Sequence, residues 1–272
     1  MQKTRARKIK RWLWTLVIIY VVIGLLLYFF QEKIIFHPQK LAFDHKYNFS
    51  IPYKEINLRV TDSRNLGIVQ FTVPDSVCKG VVLYFHGNMR NIERYAPHAT
   101  QFTRNNYEVW MMDYPGYGKS TGERSEQGLY DDALEFYKMA RARFPKDSII
   151  IYGKSMGTGI AAQLASIRDC KRLILETPYY DFPSVIQHYF PIYPVSLMLH
   201  YQLPTHEYIE MVKAPITIFH GTDDGVITSS NAKRLIPLLG KKDEFISIKK
   251  GSHNDLYEFP QCTKKIDSLL SF

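Results

Sequence analysis

Six short runs between residues 80 and 250 constrain the fold of this chain most. They are GVVLYFH (80–86), YEVWMMDY (107–114), SIIIYGK (148–154), RLILET (172–177), PITIFHG (215–221) and EFISIKK (244–250). Most are too continuously apolar to keep one face in water, and they are rich in β-branched and aromatic residues. Such runs predict strands covered on both sides. Between them the spacing predicts helices over 91–105, 125–144, 156–167 and 229–239, and a last one from about His253. Pro97 weakens the first of these, and Ser125 can cap the second. Upstream, EINLRV (55–60) and NLGIVQFTV (65–73) flank the turn residues Asp62 and Ser63, as in a β-hairpin. Strands alternating with helices imply an α/β fold with a mainly parallel sheet of about eight strands and helices on both faces. In such sheets, ligands bind at the carboxyl ends of the strands.

A different feature dominates the amino-terminal end. WLWTLVIIYVVIGLLLYFF (12–30) carries no charge, and a bilayer core of about 30 Å needs about 20 apolar residues as helix. Trp12 and Trp14 at one end and Tyr28, Phe29 and Phe30 at the other suit the two membrane interfaces. The run is longer than the usual signal-peptide core and ends without a small-x-small cleavage site, so an uncleaved anchor is expected. The expected organisation is a basic segment (1–11), a transmembrane anchor (12–30), a linker (31–50) and a catalytic domain (51–272). Lys3, Arg5, Arg7, Lys8, Lys10 and Arg11 precede the span, whereas Lys33, Lys40 and Lys46 follow it. That asymmetry predicts a cytoplasmic amino terminus, with the body on the non-cytoplasmic side.

The net charge of +9 is therefore mostly local, since those six cations leave +3 for the rest of the chain. No basic stripe for nucleic acid is expected. Cys78, Cys170 and Cys262 make no CxxC pair and no metal-ligand spacing, so buried free thiols are expected and no metal site. GYGKS (116–120) ends like a phosphate-binding loop, but position 113 is Asp where that loop needs Gly.

Four strand ends carry candidate chemistry: HGNMR (86–90), Ser155 in Gly-x-Ser-x-Gly, HGTDDGV (220–226) and KGSHNDL (250–256). With this glycine and serine content, GxSxG arises by chance roughly 0.05 times in such a chain, before its placement between a strand and a helix is considered. A sharp turn there lifts the serine hydroxyl clear of the backbone. A hydroxyl needs a base to become a nucleophile, and His253 follows the last strand. An acid must orient that imidazole, and either Asp223 or Asp224 follows the preceding strand. His86 and His220 precede glycines at strand ends, which suits structural hydrogen bonding. Asp255 suits a cap on the turn beside His253.

HGN (86–88), DYPGYGKSTG (113–122), YGKSMGTG (152–159), HGTDDGVI (220–227) and GSHNDL (251–256) resemble the α/β-hydrolase superfamily over residues 35–272. Within it the chain is similar to the membrane-anchored serine hydrolases that include protein depalmitoylases and lysophospholipid lipases. The resemblance implies the α/β-hydrolase fold and a Ser155–Asp224–His253 triad, choosing Asp224 over Asp223. The oxyanion hole is expected from the backbone N–H of Met156 and one from the 86–89 loop, that of Asn88 or alternatively Met89.

The expected activity is hydrolysis of carboxylic esters or thioesters, of lipids or acylated molecules, without a cofactor. An amidase or peptidase on the same fold, or a non-catalytic binding protein, are the alternatives. Residues 178–213 form one long proline- and aromatic-rich excursion, readable as a small lid or as ordinary packing.

Overall fold

The computed structural model describes residues 2–271; Met1, Phe272 and the side chains of Gln2, Lys3 and Thr4 lie outside the described part. One sheet of eight strands organises the body. In chain order these are β1 (Tyr53–Arg59), β2 (Asn65–Phe71), β3 (Gly80–Phe85), β4 (Tyr107–Met112), β5 (Ile149–Lys154), β6 (Arg172–Glu176), β7 (Ile216–Gly221) and β8 (Glu244–Ile248). Across the sheet they run β8-β7-β6-β5-β3-β4-β2-β1. All neighbours are parallel except β2, which is antiparallel to both β1 and β4. The expected hairpin is thus β1–β2, and every residue of β3, β4, β5 and β7 is buried.

Two apolar layers cover the sheet. On one face lie α2 (Glu126–Arg141), α3 (Gly157–Ile167) and the 178–213 excursion, with Leu129, Phe136, Ile160 and Tyr179 in one core. The other face packs Ile92 and Phe102 with Cys262 and Ile266 of the last helix, α4 (Pro260–Leu270). Helix α2 forms where the sequence predicts it: the Ser125 side chain accepts from Gly128 N–H at 3.0 Å, and Glu126 and Arg141 complement the helix dipole at its two ends.

Three helical expectations are modified, each at a proline. The 91–105 stretch folds as consecutive short turns, Ile92–Tyr95, Ala96–Ala99 and Thr100–Thr103, broken at Pro97, which lacks an N–H. Ser229–Lys233 ends early and gives way to a tighter turn around Pro237. The last helix starts at Pro260, favoured at a first helical position, rather than near His253. That leaves His253 on a loop, where Asp255 accepts from Ser252 N–H at 2.6 Å. All three cysteines are free.

The amino-terminal helix α1 (Gln2–Ile35) is long and apolar enough to cross a membrane, and its apolar stretch is exposed. Past it, the stretch read as a linker is tied down. His37–Pro38 pairs with Met89–Arg90, and Lys40 bridges to Gly118, so the chain straps across the carboxyl ends of the strands.

Candidate active site

Ser155 stands between β5 and α3 with φ +51°, in the left-handed region that a β-carbon disfavours. Holding it there costs about 1–3 kcal/mol, offset by a fixed surround. Its N–H donates to Glu176 O at 2.9 Å, while its carbonyl accepts from Thr158 N–H at 2.9 Å and from the Thr158 hydroxyl at 2.6 Å. The flanking glycines are steric necessities. A β-carbon at Gly157 would lie 2.2 Å from Phe85 O, and one at Gly153 2.6 Å from Gly157 O. The turn can therefore be sharp only because both positions lack side chains.

The structure brings Ser155, His253 and Asp224 together in one line. His253 Nε2 lies 2.9 Å from Ser155 Oγ, and its Nδ1 lies 2.8 Å from Asp224 Oδ2. The other Asp224 oxygen accepts from Val226 N–H at 2.8 Å and Ile227 N–H at 2.9 Å. Burial alone would raise the pKa of Asp224. Its hydrogen bond to His253, the His253 charge and those two amides outweigh burial and hold it below the usual carboxylate range. Asp223 instead accepts from the neighbouring Thr222 hydroxyl at 2.7 Å, on the surface.

Beside the serine, the 86–89 loop is held from several directions. Asn88 uses its side-chain amide to donate to Ile35 O at 2.7 Å, while its carbonyl accepts from Tyr117 Oη at 2.8 Å and His37 N–H at 3.1 Å. Tyr114 Oη donates to His86 O at 2.8 Å. The Met89 amide is turned to the Tyr95 hydroxyl, whose pKa burial raises and that amide lowers in part. Of the two donors expected from this loop, Met89 thus has a partner within the protein. Met156, the other, precedes the first turn of α3, and its carbonyl accepts from Tyr179 Oη at 2.9 Å.

His86 and His220 bond within their own loops through Nδ1, while their Nε2 atoms face buried carboxylates, Asp113 Oδ1 at 3.2 Å and Asp224 Oδ2 at 3.7 Å. Nδ1 of His86 lies 2.7 Å from Gly87 O, and Nδ1 of His220 lies 2.9 Å from Gly221 O. Burial lowers the pKa of His220, which favours its neutral form.

Lys154, Glu176, Tyr114 and Tyr117 are the residues that motif reasoning missed. Lys154 is buried beneath Ser155, where its ammonium pairs with Glu176 and also donates to His253 O at 3.2 Å. Tyr152 donates to the other Glu176 oxygen. Burial pushes the Glu176 carboxyl up, but the Lys154 charge and these hydrogen bonds bring it below its ordinary value.

The chain is similar to known proteins in sequence and in fold. Residues 76–199 match the serine aminopeptidase S33 family. Protein bem46 of Schizosaccharomyces pombe is 32% identical over 221 residues, covering 76% of this chain and 73% of that protein. The alpha/beta hydrolase domain-containing protein aho-3 of Caenorhabditis elegans is 30% identical over 210 residues, 74% of this chain; the match spans only 61% of the relative. Among solved structures, an esterase from Pyrococcus furiosus superposes with TM-score 0.68 at 17% identity, covering 87% of this chain and 96% of that one. With the sheet order, the strand-to-helix serine turn and these relatives together, the chain belongs to the α/β-hydrolase superfamily.

Proposed function

We propose that this chain is a membrane-anchored serine hydrolase that cleaves carboxylic esters or thioesters of lipids or acylated molecules. The observation that carries this reading is the continuous hydrogen-bonded line from Ser155 Oγ through His253 to Asp224. His253 Nε2 takes the Ser155 proton as Oγ attacks the acyl carbonyl, and Asp224 holds the imidazole in the tautomer that can accept it. The oxyanion is received by Met156 N–H and Asn88 N–H. His253 then protonates the leaving alcohol or thiol, and a water activated by the same base releases the acid from the acyl-enzyme. Helix α1 supplies the anchor, with its cation-rich end on the cytoplasmic side and the body across the membrane.

The match to an aminopeptidase family favours a second reading, hydrolysis of amides.

A fluorophosphonate probe tests the mechanism: wild type labels and Ser155→Ala does not. Absence of wild-type labelling, with no turnover of short p-nitrophenyl esters, would overturn it. Parallel assays on p-nitrophenyl esters and aminoacyl amides separate the two readings. A reporter fused to the carboxyl terminus tests topology, since activity confined to the cytoplasm would reverse the orientation.

A further inference from the structure

The 178–213 excursion grips α1 at a level that fixes its own depth in a bilayer. Tyr193 stacks on Tyr20 with ring centroids 4.6 Å apart and planes within 3°. Tyr20 Oη donates to Ile192 O at 3.0 Å, and Tyr193 Oη donates to Tyr20 O at 3.1 Å. One turn further along α1, Gly24 makes room, since a β-carbon there would lie 3.2 Å from the Tyr193 ring. Gln31 extends the grip by donating to Met198 O at 3.1 Å.

Tyr20 lies near the middle of the uncharged run, about 12 Å of helix from Trp12 and about 15 Å from Phe30. Shifting the bilayer until Tyr20 reached its surface would draw Arg7, Lys8, Lys10 and Arg11 into hydrocarbon. Each cation costs about 2.5–3.5 kcal/mol near the bilayer centre. A segment bound to Tyr20 therefore shares the hydrocarbon layer with it.

The composition and backbone of the excursion suit that position. From Phe182 to His206 there is no Asp, Glu, Lys or Arg. Ile192 is 70% exposed and Leu197 84% exposed, next to the bare flank of α1. Irregular backbone can sit at this depth only if its polar groups are satisfied within the protein. Here Gln187 donates to Phe190 O and Pro191 O, Tyr20 to Ile192 O, and Gln202 to Ser196 O and Leu199 O. The Tyr193, Pro194 and Val195 carbonyls accept from backbone amides nearby, while Pro191 and Pro194 have no N–H to satisfy.

We propose that residues 189–198 form a lip embedded in the leaflet around the carboxyl-terminal half of α1, so that the hydrolase sits in the membrane surface. The proposal rests on the anchoring reading of α1. Its occupant is the acyl-chain region of a phospholipid bilayer. The tie from Asn88 to Ile35 then sets the candidate oxyanion loop against the membrane end of α1.

The test uses the full chain in phosphatidylcholine vesicles, in a Cys78→Ser background that removes the half-buried thiol and leaves the two buried ones. An environment-sensitive NBD fluorophore is placed at Leu197→Cys on the lip, Val21→Cys on α1 or Lys241→Cys on the distal surface, all exposed positions. Equal melting midpoints establish that each variant is folded. The expected result is blue-shifted emission at 197, quenched by a nitroxide on the lipid mid-chain as strongly as at 21, with no loss at 241. Quenching at 21 without quenching at 197 would overturn the lip and leave the anchor standing. Quenching at neither position would overturn the anchor and the lip with it.

Discussion

Lys154 and Glu176 form an ion pair buried directly beneath the serine turn, joining β5 to β6 where Ser155 leaves the sheet. Their side chains are 3% and 1% exposed, so neither charge has water to fall back on. The pair also reaches two members of the candidate relay. Glu176 O receives the Ser155 amide, and Lys154 Nζ donates to the His253 carbonyl. A residue with no chemistry of its own thereby positions the serine turn and the histidine loop together.

Replacing Lys154 by Met should be among the most damaging single changes in the chain. It strands the Glu176 carboxylate, and breaking a buried pair from one side costs about 3–5 kcal/mol. Urea denaturation should show that loss in the midpoint. The double variant Lys154→Met/Glu176→Gln should recover much of the stability, because the unpaired charge is gone. If it recovers stability but not fluorophosphonate labelling, the lost Lys154–His253 bond accounts for the difference. A stable Lys154→Met single variant would mean that the pair does not carry the turn.

The two neighbouring aspartates should differ sharply in effect. Asp224→Asn keeps the shape but reverses the hydrogen bonding to His253 Nδ1, favouring the wrong tautomer. The corresponding change in serine-protease triads lowers kcat about 10⁴-fold, and the same order is expected here. Asp223→Asn touches only the Thr222 hydroxyl at the surface and should leave kcat unchanged. Equal losses in the two variants would place the acid elsewhere.

What the sequence revealed and what it hid divide along contact range. The serine turn was legible because its logic is local: Gly153 and Gly157 clear the paths of Phe85 and of the turn itself. The chain order of Ser155, Asp224 and His253 was legible because each ends a recognisable strand or loop. Choosing Asp224 over Asp223 needed family resemblance, since the deciding amides of Val226 and Ile227 leave no mark in spacing. Lys154 was opaque because its partner lies 22 residues away on the next strand. Tyr114 and Tyr117 reach back 28 and 29 residues to brace the 86–89 loop, and their motif suggested only a tight turn. The last helix was set too early because apolar spacing continues through 253–259, while Pro260 fixes where helical backbone begins.

Bracing of that loop can be tested at Tyr117. Tyr117→Phe removes the donor to Asn88 O and keeps the ring, so stability should fall by about 0.5–1.5 kcal/mol. The Asn88 N–H remains but is less firmly aimed. The fall in kcat should therefore be smaller than the roughly 10²–10³ that follows loss of a whole oxyanion donor. KM should move little, because the affected interaction strengthens in the transition state. A change confined to KM would place Tyr117 in substrate binding instead.

His98 should contribute an acid sensitivity that begins above the carboxylate range. Burial lowers its pKa from 6.5 to about 4; the Lys154 and Arg94 charges push the same way, and Glu176 opposes them in part. Its Nδ1 lies 2.9 Å from the Tyr84 hydroxyl, which can donate to the neutral ring. Between pH 6.5 and about 4 the unfolded chain binds a proton at this site that the folded chain does not. The His98 contribution to stability therefore falls as pH drops through that window, by about 3 kcal/mol in total, and levels off below it; buried His220 works in the same direction, while Asp132, whose carboxyl burial raises to about 6, works in the opposite one. Asp224 and Glu176 act later: their folded pKa values are depressed, so their stabilisation persists above the unfolded carboxylate range and is lost as pH falls through the folded values. Urea midpoints between pH 7.5 and 3 should trace both phases. His98→Asn, which retains an acceptor for Tyr84, should remove the His98 share of the upper phase relative to wild type and leave the lower phase. Parallel wild-type and His98→Asn profiles between pH 6.5 and 4 would show that His98 is not held neutral by its burial.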